Sequence, residues 1–455
     1  MPASQGLVGW IALAAILASA VPLGANRPVA WLALALAAAV LLLAQLVIDM
    51  LRRPDPQRVA ALAVPAMLYL AALAWAAFQT MPEAGSWAHP SWSALPPGEG
   101  ARSISADPAA GRLLAPRLAA YGALFWIIAR AAREPGRALR MTQAIALGAT
   151  LLSIYGLAAA ATGVNPVLEL DGRRTLVSAS FVNRNSFATW AAFGALANLA
   201  VFVALTEAPG PGDARRSLRD AMETFFANGW LFALGFAITV TALIASQSRA
   251  GALSAAIGLA VFLSAYRKTA DAGLGARGGI GAATAVLVVV FAAAVAGSGL
   301  ATRIVGASEE EARFAVFPLV IEGVTARPWL GHGLGAFQDV FRAYVTPELA
   351  FGEWDLAHNS YLENAFELGM PAALSLYLAL GLIVLRVLRG TRERRRDRAW
   401  PALALGCAGV AAAHSLFDFS LQIPAVAALF AAILAIGWTQ SFRAQPGPPG
   451  RISRR

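Results

Sequence analysis

Cysteine and lysine are almost absent from this chain of 455 residues. Cys407 is the single cysteine and lies in an apolar run, so an intramolecular disulfide and a thiolate metal cluster are both excluded. Lys268 is the single lysine among 36 basic residues, so arginine carries almost all of the positive charge. Charged residues make up only 14% of the chain, too few to cover a water-soluble globule of this size.

Long apolar runs take the place of the missing charge. Hydrophobic residues make up 58% of the chain, and the mean hydropathy is +0.61. Windows of about 20 residues, long enough to cross a hydrocarbon core, predict an all-α polytopic membrane protein of about 12 transmembrane helices. The windows lie at about 7–24, 29–50, 59–80, 115–132, 138–162, 186–206, 228–246, 250–266, 279–300, 369–388, 400–416 and 423–441.

Basic residues alternate between the loops and predict the topology. An even number of helices puts both termini on one side, and most of the 36 basic residues fall in the loops of that side. Because cytoplasmic loops are enriched in Lys and Arg, both termini are expected in the cytoplasm. The net charge of +10 therefore indicates a membrane protein with basic loops, and no nucleic-acid partner is expected. The outer face then receives the segments 81–114, 163–185, 246–250, 301–368 and 417–422, with all four histidines at or near it.

The chain divides by hydropathy into four parts. Residues 1–300 contain helices 1–9, residues 301–368 form a long periplasmic loop with short helices, residues 369–441 contain helices 10–12, and residues 442–455 form a basic disordered cytoplasmic tail. Ala18-Ser19-Ala20 is similar to a signal-peptidase site. No basic residue precedes the first apolar run, however, and a second span follows almost at once, so helix 1 is expected to be retained.

Two arginines of the outer segments are candidate anion-binding residues. Arg249 lies in the tight link Ser246–Gly251 between two apolar windows, and Arg313 opens an apolar helical pattern formed by Phe314, Phe317, Val320 and Ile321. A guanidinium matches two phosphate oxygens at once. The alternatives are that Arg249 snorkels towards lipid phosphates and that Arg313 pairs with the acidic run 309–311.

Asparagines and glycines mark two further segments. In 181–188 (FVNRNSFA), Asn185 or Ser186 is suited to cap a helix, but capping does not explain Asn183, Arg184 and Asn185 together. In 328–337 (PWLGHGLGAF), no strand precedes the glycines around His332, so they are expected to serve a backbone turn and not a dinucleotide site. A short helix is expected over 336–345. The four histidines have no ligand-like spacing, so neither a metal site nor a cofactor is expected.

The segment 357–370 (AHNSYLENAFELGM) is the strongest candidate for chemistry. His358 lies where the long loop enters a helix, and histidine is the side chain best able to accept a proton near neutral pH. Helical spacing from Asn359 onward puts His358 and Tyr361 on one face, and Glu363 and Glu367 together on another. A structural hydrogen-bonding role for His358 is the alternative to a general base.

Taken together, these segments resemble the O-antigen ligase and O-antigen polymerase superfamily. The resemblance rests on the order and spacing of 181–188, Ser248–Gly251, the Arg313 helix, 328–337, 358–363 and 367–371, with a later match at 414–419 and 422–424. It is clearest from about residue 175 to 372. These proteins are bacterial inner-membrane glycosyltransferases of the GT-C type.

The resemblance implies a specific reaction and site. It implies transfer of a glycan from undecaprenyl diphosphate to a hydroxyl of a lipid A core or another glycan at the periplasmic face, without a metal. By correspondence, His358 would be the general base, Arg249 and Arg313 would hold the diphosphate, and Arg184 would be a third cation. Apart from the resemblance, Glu363 or Glu367 would orient the imidazole as a carboxylate does in a catalytic triad, although helical spacing puts neither on its face. The remaining candidate contacts to acceptor or glycan are Asn183, Asn185, Asn359 and His332.

Three functions stay open at this point. Ligation onto a lipid A core and polymerisation of lipid-linked repeat units share donor and face and differ in the acceptor; the motif set favours the ligase. A lipid-glycan flippase or transporter is the alternative of another class, and it predicts ionisable residues deep within several spans. The charged residues lie almost entirely in the predicted loops, which favours chemistry at one face.

Overall fold

Helices make up almost all of the regular structure in the part of the chain that the structure describes. The computed structural model describes residues 3–52, 54–96, 99–168, 170–171, 176–206, 223, 226, 229–266, 303–350, 353–393 and 398–442. Its α-helices are α1 (Ala3–Ala18), α2 (Pro28–Leu51), α3 (Pro56–Phe78), α4 (Pro108–Ala131), α5 (Pro135–Thr162), α6 (Arg184–Thr206), α7 (Trp230–Ala245), α8 (Arg249–Tyr266), α9 (Arg303–Ala326), α10 (Phe337–Phe341), α11 (Ser360–Leu368), α12 (Met370–Glu393), α13 (Ala399–His414) and α14 (Pro424–Gln440). Two strands of two residues each, β1 (Val164–Asn165) and β2 (Leu170–Asp171), pair antiparallel with Val164 opposite Asp171.

The predicted multi-pass membrane architecture is confirmed. Among the described residues, α2, α3, α4, α5, α6, α8 and α12 are long and apolar enough to cross a membrane. The helices α1, α7, α13 and α14 occupy predicted windows but have only 16 or 17 residues. The window 279–300 lies outside the described residues. The protein is therefore an all-α polytopic membrane protein, and the count of 12 spans stays a prediction.

Proline and aspartate set where several of these helices begin. Proline opens α2, α3, α4, α5 and α14, a position where its missing N–H costs nothing. Asp55 caps α3 through the N–H of Gln57, and Asp107 caps α4 through the N–H groups of Ala109 and Ala110. These caps fix the ends of α3 and α4 against their loops.

Small residues let the inner helices approach closely. A Cβ added at Gly258 of α8 would lie 2.7 Å from the carbonyl oxygen of Gly406 in α13, and one at Gly437 of α14 would lie 2.2 Å from the Cβ of Ala404. Such contacts are typical of helix packing in membranes, where lipid is as apolar as the side chains. The helices α13 and α14 are consequently buried along most of their length.

The five segments predicted on the outer side meet at one end of the bundle, here called the α11 end. Hydrogen bonds join the N–H of Ala106 to the carbonyl of His332, and they join the amide of Asn185 and the hydroxyl of Ser360 to Asp418. The N–H of Val177 donates to the carbonyl of Ala245, next to the segment 246–250. This agrees with the predicted alternation of the helices. That the α11 end faces the periplasm stays a prediction.

The predicted apolar face of α9 is partly wrong. Val316, Val320 and Val324 form its buried face and pack with α10 and α11, whereas Phe314 is 57% and Ile321 48% exposed. The sequence pattern assigned the larger side chains to the apolar face, but the shorter valines form the buried face because they allow α11 to pack closely. The short helix predicted over 336–345 is α10, which covers only Phe337–Phe341.

Candidate functional site

Asn359 starts α11 and ties it to the loop that follows α13. Its side-chain oxygen accepts hydrogen bonds from the N–H groups of Tyr361 and Leu362, at 3.0 and 3.1 Å, and its amide donates to the carbonyl of Leu416 at 3.2 Å. The side chain is therefore an N-cap with three internal partners in a residue only 8% exposed. This placement gives Asn359 a structural task in the folded protein, and its contact with the glycan stays a prediction.

His358 precedes this cap in an unusual backbone conformation. Its φ is +51°, a left-handed value that few residues other than glycine adopt. The half-buried imidazole lies 5.0 Å from the ring of Phe419 and 6.3 Å from that of Trp354, measured between centroids. Such backbone strain persists only where neighbouring contacts hold it, and it is frequent at functional sites. Because His358 lies outside α11, helical spacing does not set its direction, contrary to the sequence-based expectation.

Two carboxylates one helical turn apart, Glu363 and Glu367, bind backbone N–H groups of two different loop segments next to α11. Glu363 accepts a hydrogen bond of 2.8 Å from the N–H of Ala357 and one from the side chain of Gln422. Glu367 accepts from the N–H of Phe337 at 3.2 Å and from the backbone of Gly335. Their common face, predicted from spacing, is confirmed, and both are buried, at 2% and 6% exposure.

Burial changes the acidity of both carboxyl groups. Loss of solvation, reinforced by the neighbouring Glu367, raises the pKa of Glu363 to about 8. Loss of solvation also raises the pKa of Glu367 to about 7, although its backbone hydrogen bonds oppose the rise. A neutral Glu363 can donate as well as accept hydrogen bonds near pH 7. The hydrogen bond from the N–H of Ala357, the residue before His358, can fix the loop that carries the imidazole.

Two of the predicted arginines begin neighbouring helices at the α11 end. Arg249 is exposed and opens α8 after a turn in which Gln247 has a φ of +53°, and Arg184 is half-buried and opens α6. The two helix starts touch, since a Cβ added at Gly251 would lie 2.6 Å from that of Ala188. Arg313 belongs to α9, but its side chain lies outside the described part of the structure.

The loop 415–419 joins these arginines to His358. The amide of Asn185 donates a short hydrogen bond to the carboxylate of Asp418, and both residues are buried. The same loop binds Ser360 through the carbonyls of Ser415 and Asp418, at 2.9 and 3.1 Å. Arg184, next to Asn185, and His358, against Phe419, are therefore connected through one short loop.

The expectation that Asn185 or Ser186 caps α6 is wrong. The side chain of Asn183 accepts a hydrogen bond of 2.7 Å from the N–H of Asn185, so Asn183 is the capping residue. The side chain of Asn185 is used for Asp418 instead. Both asparagines thus have partners inside the protein, although sequence analysis named them as glycan contacts.

His332 forms a buried chain of hydrogen bonds with His89. Nε2 of His332 donates to the carbonyl of Gly323 at 2.9 Å, which leaves Nδ1 to accept from Nε2 of His89 at 2.9 Å. Nδ1 of His89 accepts from the N–H of Ser91 at 3.2 Å. Since a carbonyl can only accept, these partners fix both rings in neutral tautomers. Burial lowers the pKa of His89 to about 3 and that of His332 to about 4. His332, only 3% exposed, thus joins the 81–107 segment to α9, and its contact with the glycan stays a prediction.

The glycines around His332 serve a turn, as predicted. Gly331, Gly333 and Gly335 have φ values of +68°, +110° and +79°. The N–H groups of His332 and Gly333 donate to the carbonyls of Phe366 and Glu367. A Cβ added at Gly331 would lie 2.3 Å from the backbone carbonyl oxygen of Glu367, so this close approach to the end of α11 requires glycine.

A cavity of about 760 Å³ opens beside α11, and sequence analysis missed its principal cation. Arg117, Glu363 and Glu367 line it together with Trp31 and Tyr121. Arg117 lies near the middle of α4, where an ionisable group within a span is by itself a sign of function. The expectation that charges lie almost entirely in loops is wrong at this position.

Comparison with known proteins points to one family. Residues 234–377, about a third of the chain, match the family model described as O-antigen ligase. No curated protein matches the chain. The matched region contains Arg249, α9, the glycine turn and the whole of α11, and it confirms the resemblance to the O-antigen ligase and O-antigen polymerase superfamily.

Proposed function

We propose that this protein is a glycosyltransferase of the GT-C type in the bacterial inner membrane. It moves a glycan from undecaprenyl diphosphate to an acceptor hydroxyl at the periplasmic face, as an O-antigen ligase does in lipopolysaccharide biosynthesis. The family match over residues 234–377 supports the class of reaction. The donor, the acceptor and the face are part of the proposal.

One observation carries the proposal: the loop 415–419 brings elements distant in sequence to His358. Asp418 of this loop binds Asn185, the neighbour of Arg184, and Phe419 lies against the imidazole. Arg249 begins the helix that packs against the first turn of α6. Cations and a candidate base thus share one end of the bundle, as a transfer reaction on a diphosphate requires.

The arginines act on the leaving group. As the bond between the anomeric carbon and the diphosphate oxygen breaks, negative charge builds up on the diphosphate. Arg249 and Arg184, with Arg313 from α9, would bind that charge more tightly in the transition state than in the ground state. The planar guanidinium offers paired N–H groups to two phosphate oxygens at once. This step needs neither a nucleotide sugar nor a metal ion.

His358 acts on the acceptor. Its neutral imidazole takes the hydroxyl proton while the acceptor oxygen bonds to the anomeric carbon, and undecaprenyl diphosphate leaves from the opposite side, so the anomeric centre inverts. General-base catalysis of this kind contributes about 10²- to 10⁴-fold in rate. Glu363 serves as a positioning residue, since it holds the backbone N–H of Ala357.

The acceptor distinguishes ligation from polymerisation. The test is to reconstitute the purified protein in liposomes with undecaprenyl-diphosphate glycan and a lipid A core, and to determine the product masses. Glycan attached to lipid A supports the ligase. A ladder of repeat units that stays on undecaprenyl diphosphate would instead identify the protein as a polymerase. Movement of labelled donor across the bilayer without any transfer product would contradict both the ligase and the polymerase.

A further inference from the structure

The 760 Å³ cavity combines an apolar length with a polar end. Its polar lining residues come from the α11 end and include Gln338, Asp355, Glu363, Glu367 and Gln422. From there its lining continues along α12 to Ile383, 13 residues after the helix start at Met370, or about 20 Å at the rise of an α-helix. Leucines of α2, α3, α4 and α14 line the rest. A volume in the range of about 300 to 1,000 Å³ is typical of ligand sites.

Three hydrogen-bond donors line this cavity without using their hydrogens. Among the described residues, Nε1 of Trp31, Nε of Arg117 and the hydroxyl of Tyr121 are buried and have no hydrogen-bond partner. They form one cluster, because the Arg117 guanidinium lies 5.7 Å from the Trp31 ring centroid and Tyr121 is one helical turn from Arg117. A buried donor without an acceptor costs free energy, so three in one place indicate a ligand rich in oxygen.

The lining therefore has the chemistry of an amphiphile site. A long apolar wall suits hydrocarbon chains, which prefer it to water. The donor cluster suits phosphate, carbonyl or sugar oxygens, and Arg117 adds a positive charge.

We propose that this cavity binds the lipid-anchored acceptor of the transfer reaction, with its hydrocarbon along α2, α3, α12 and α14 and its oxygen-rich head at Trp31, Arg117 and Tyr121. The inference rests on the proposed function, since it supplies the second substrate of that reaction.

Position favours the acceptor over the donor. Arg184 and Arg249, the proposed diphosphate ligands, are not among the residues that line this cavity. The cavity reaches Ser360 and Ser415, so an acceptor hydroxyl at its mouth is close to His358.

Photocrosslinking in liposomes tests this assignment. The two probes are lipid A with a diazirine in an acyl chain and undecaprenyl diphosphate with a diazirine at the chain end. The variant that combines Trp31→Phe and Tyr121→Phe removes two unused polar atoms and keeps an aromatic ring at each position, so the fold is expected to be preserved. A matched control combines Trp230→Phe and Tyr155→Phe, two positions outside the cavity lining.

We expect the lipid A probe to label peptides of α2, α3 and α12. The amount of labelled peptide should be at least about five times lower in the cavity variant than in the control. Labelling by undecaprenyl diphosphate should be equal in both. The inference is overturned if the undecaprenyl probe labels these peptides and responds to the variant, or if lipid A labels variant and control equally.

Labelling is measured without turnover, so the two proposals fail separately. Wild-type protein that transfers glycan but shows no cavity labelling refutes this inference alone. Cavity labelling that responds to the variant, in a protein that transfers glycan to no acceptor, supports the lipid site and refutes the proposed function.

Discussion

The carboxylate of Glu363 accepts a hydrogen bond of 2.8 Å from the backbone N–H of Ala357, the residue that precedes His358. On the other side of His358, the Asn359 side chain caps α11 and the N–H of Ser360 donates to the carbonyl of Ser415. The left-handed backbone of His358 is thus held from both sides, at a cost of about 1 to 3 kcal/mol. This relationship connects a buried carboxyl group to the direction of the imidazole.

Glu363→Ala should lower the rate of glycan transfer at least about tenfold, because the segment before His358 loses its anchor. Glu363→Gln keeps an oxygen that can accept from Ala357 and should retain the rate within about threefold. The measurement is kcat and KM for both variants in liposomes. A carboxylate needed for its charge would instead make the two variants equally slow.

The free energy of unfolding should depend on pH through the same group. The raised pKa values of Glu363 and Glu367, about 8 and 7, mean that the folded protein holds protons which the unfolded chain has already released. The contribution of these two carboxyl groups to the free energy of unfolding should therefore fall as the pH rises from about 5 to about 8, by on the order of a few kcal/mol. Glu363→Gln cannot ionise, so its melting temperature should exceed that of the wild type by more at pH 8 than at pH 5. The exposed Glu83→Gln is the control, and a difference independent of pH would contradict the account.

Arg249→Lys should lower kcat/KM for the lipid diphosphate donor about tenfold or more, because lysine keeps the charge but loses the paired N–H groups. Arg342→Lys, at an arginine whose side chain is 61% exposed and lies beside Asp339, is the matched control and should stay within about twofold of the wild type. Equal activity of the two variants would argue against paired phosphate binding by Arg249.

The neutral His89–His332 pair should make the protein sensitive to acid. Because the pKa values of about 3 and 4 lie below that of free histidine, the unfolded chain binds more protons as the pH falls below about 6.5. The contribution of this histidine pair to the free energy of unfolding should therefore decrease from pH 7 to pH 5, opposite in direction to that of Glu363 and Glu367. Replacing both residues by leucine removes the two titrating groups together. The melting temperature of this variant should therefore fall less between pH 7 and pH 5 than that of the wild type. An equal loss in both proteins would show that other groups cause it.

Periodicity and loop charge predicted most of the fold, because both follow from the bilayer. Every predicted window that falls within the described residues coincides with a helix, and the outer segments meet at one end. The polar segment at 357–370 was also found, since histidine, asparagine and two glutamates stand out in an apolar chain.

The details that sequence missed depend on contacts between distant segments. Nothing local distinguishes Val316 and Val320 from the larger Phe314, and the packing of α11 decides which face is buried. The left-handed φ of His358 and the pairing of Asn185 with Asp418 are likewise set by loops far apart in the chain. Arg117 could have been found, because an arginine inside an apolar window is costly without a function.

The most direct test of the central claim is the rate of glycan transfer by His358→Gly. Glycine adopts the left-handed backbone at this position without strain, so the variant should fold and insert with a melting temperature equal to or above that of the wild type. If His358 removes the acceptor proton, the rate in liposomes falls by at least about 100-fold. A rate within about twofold of the wild type would contradict the assignment of His358 as the base.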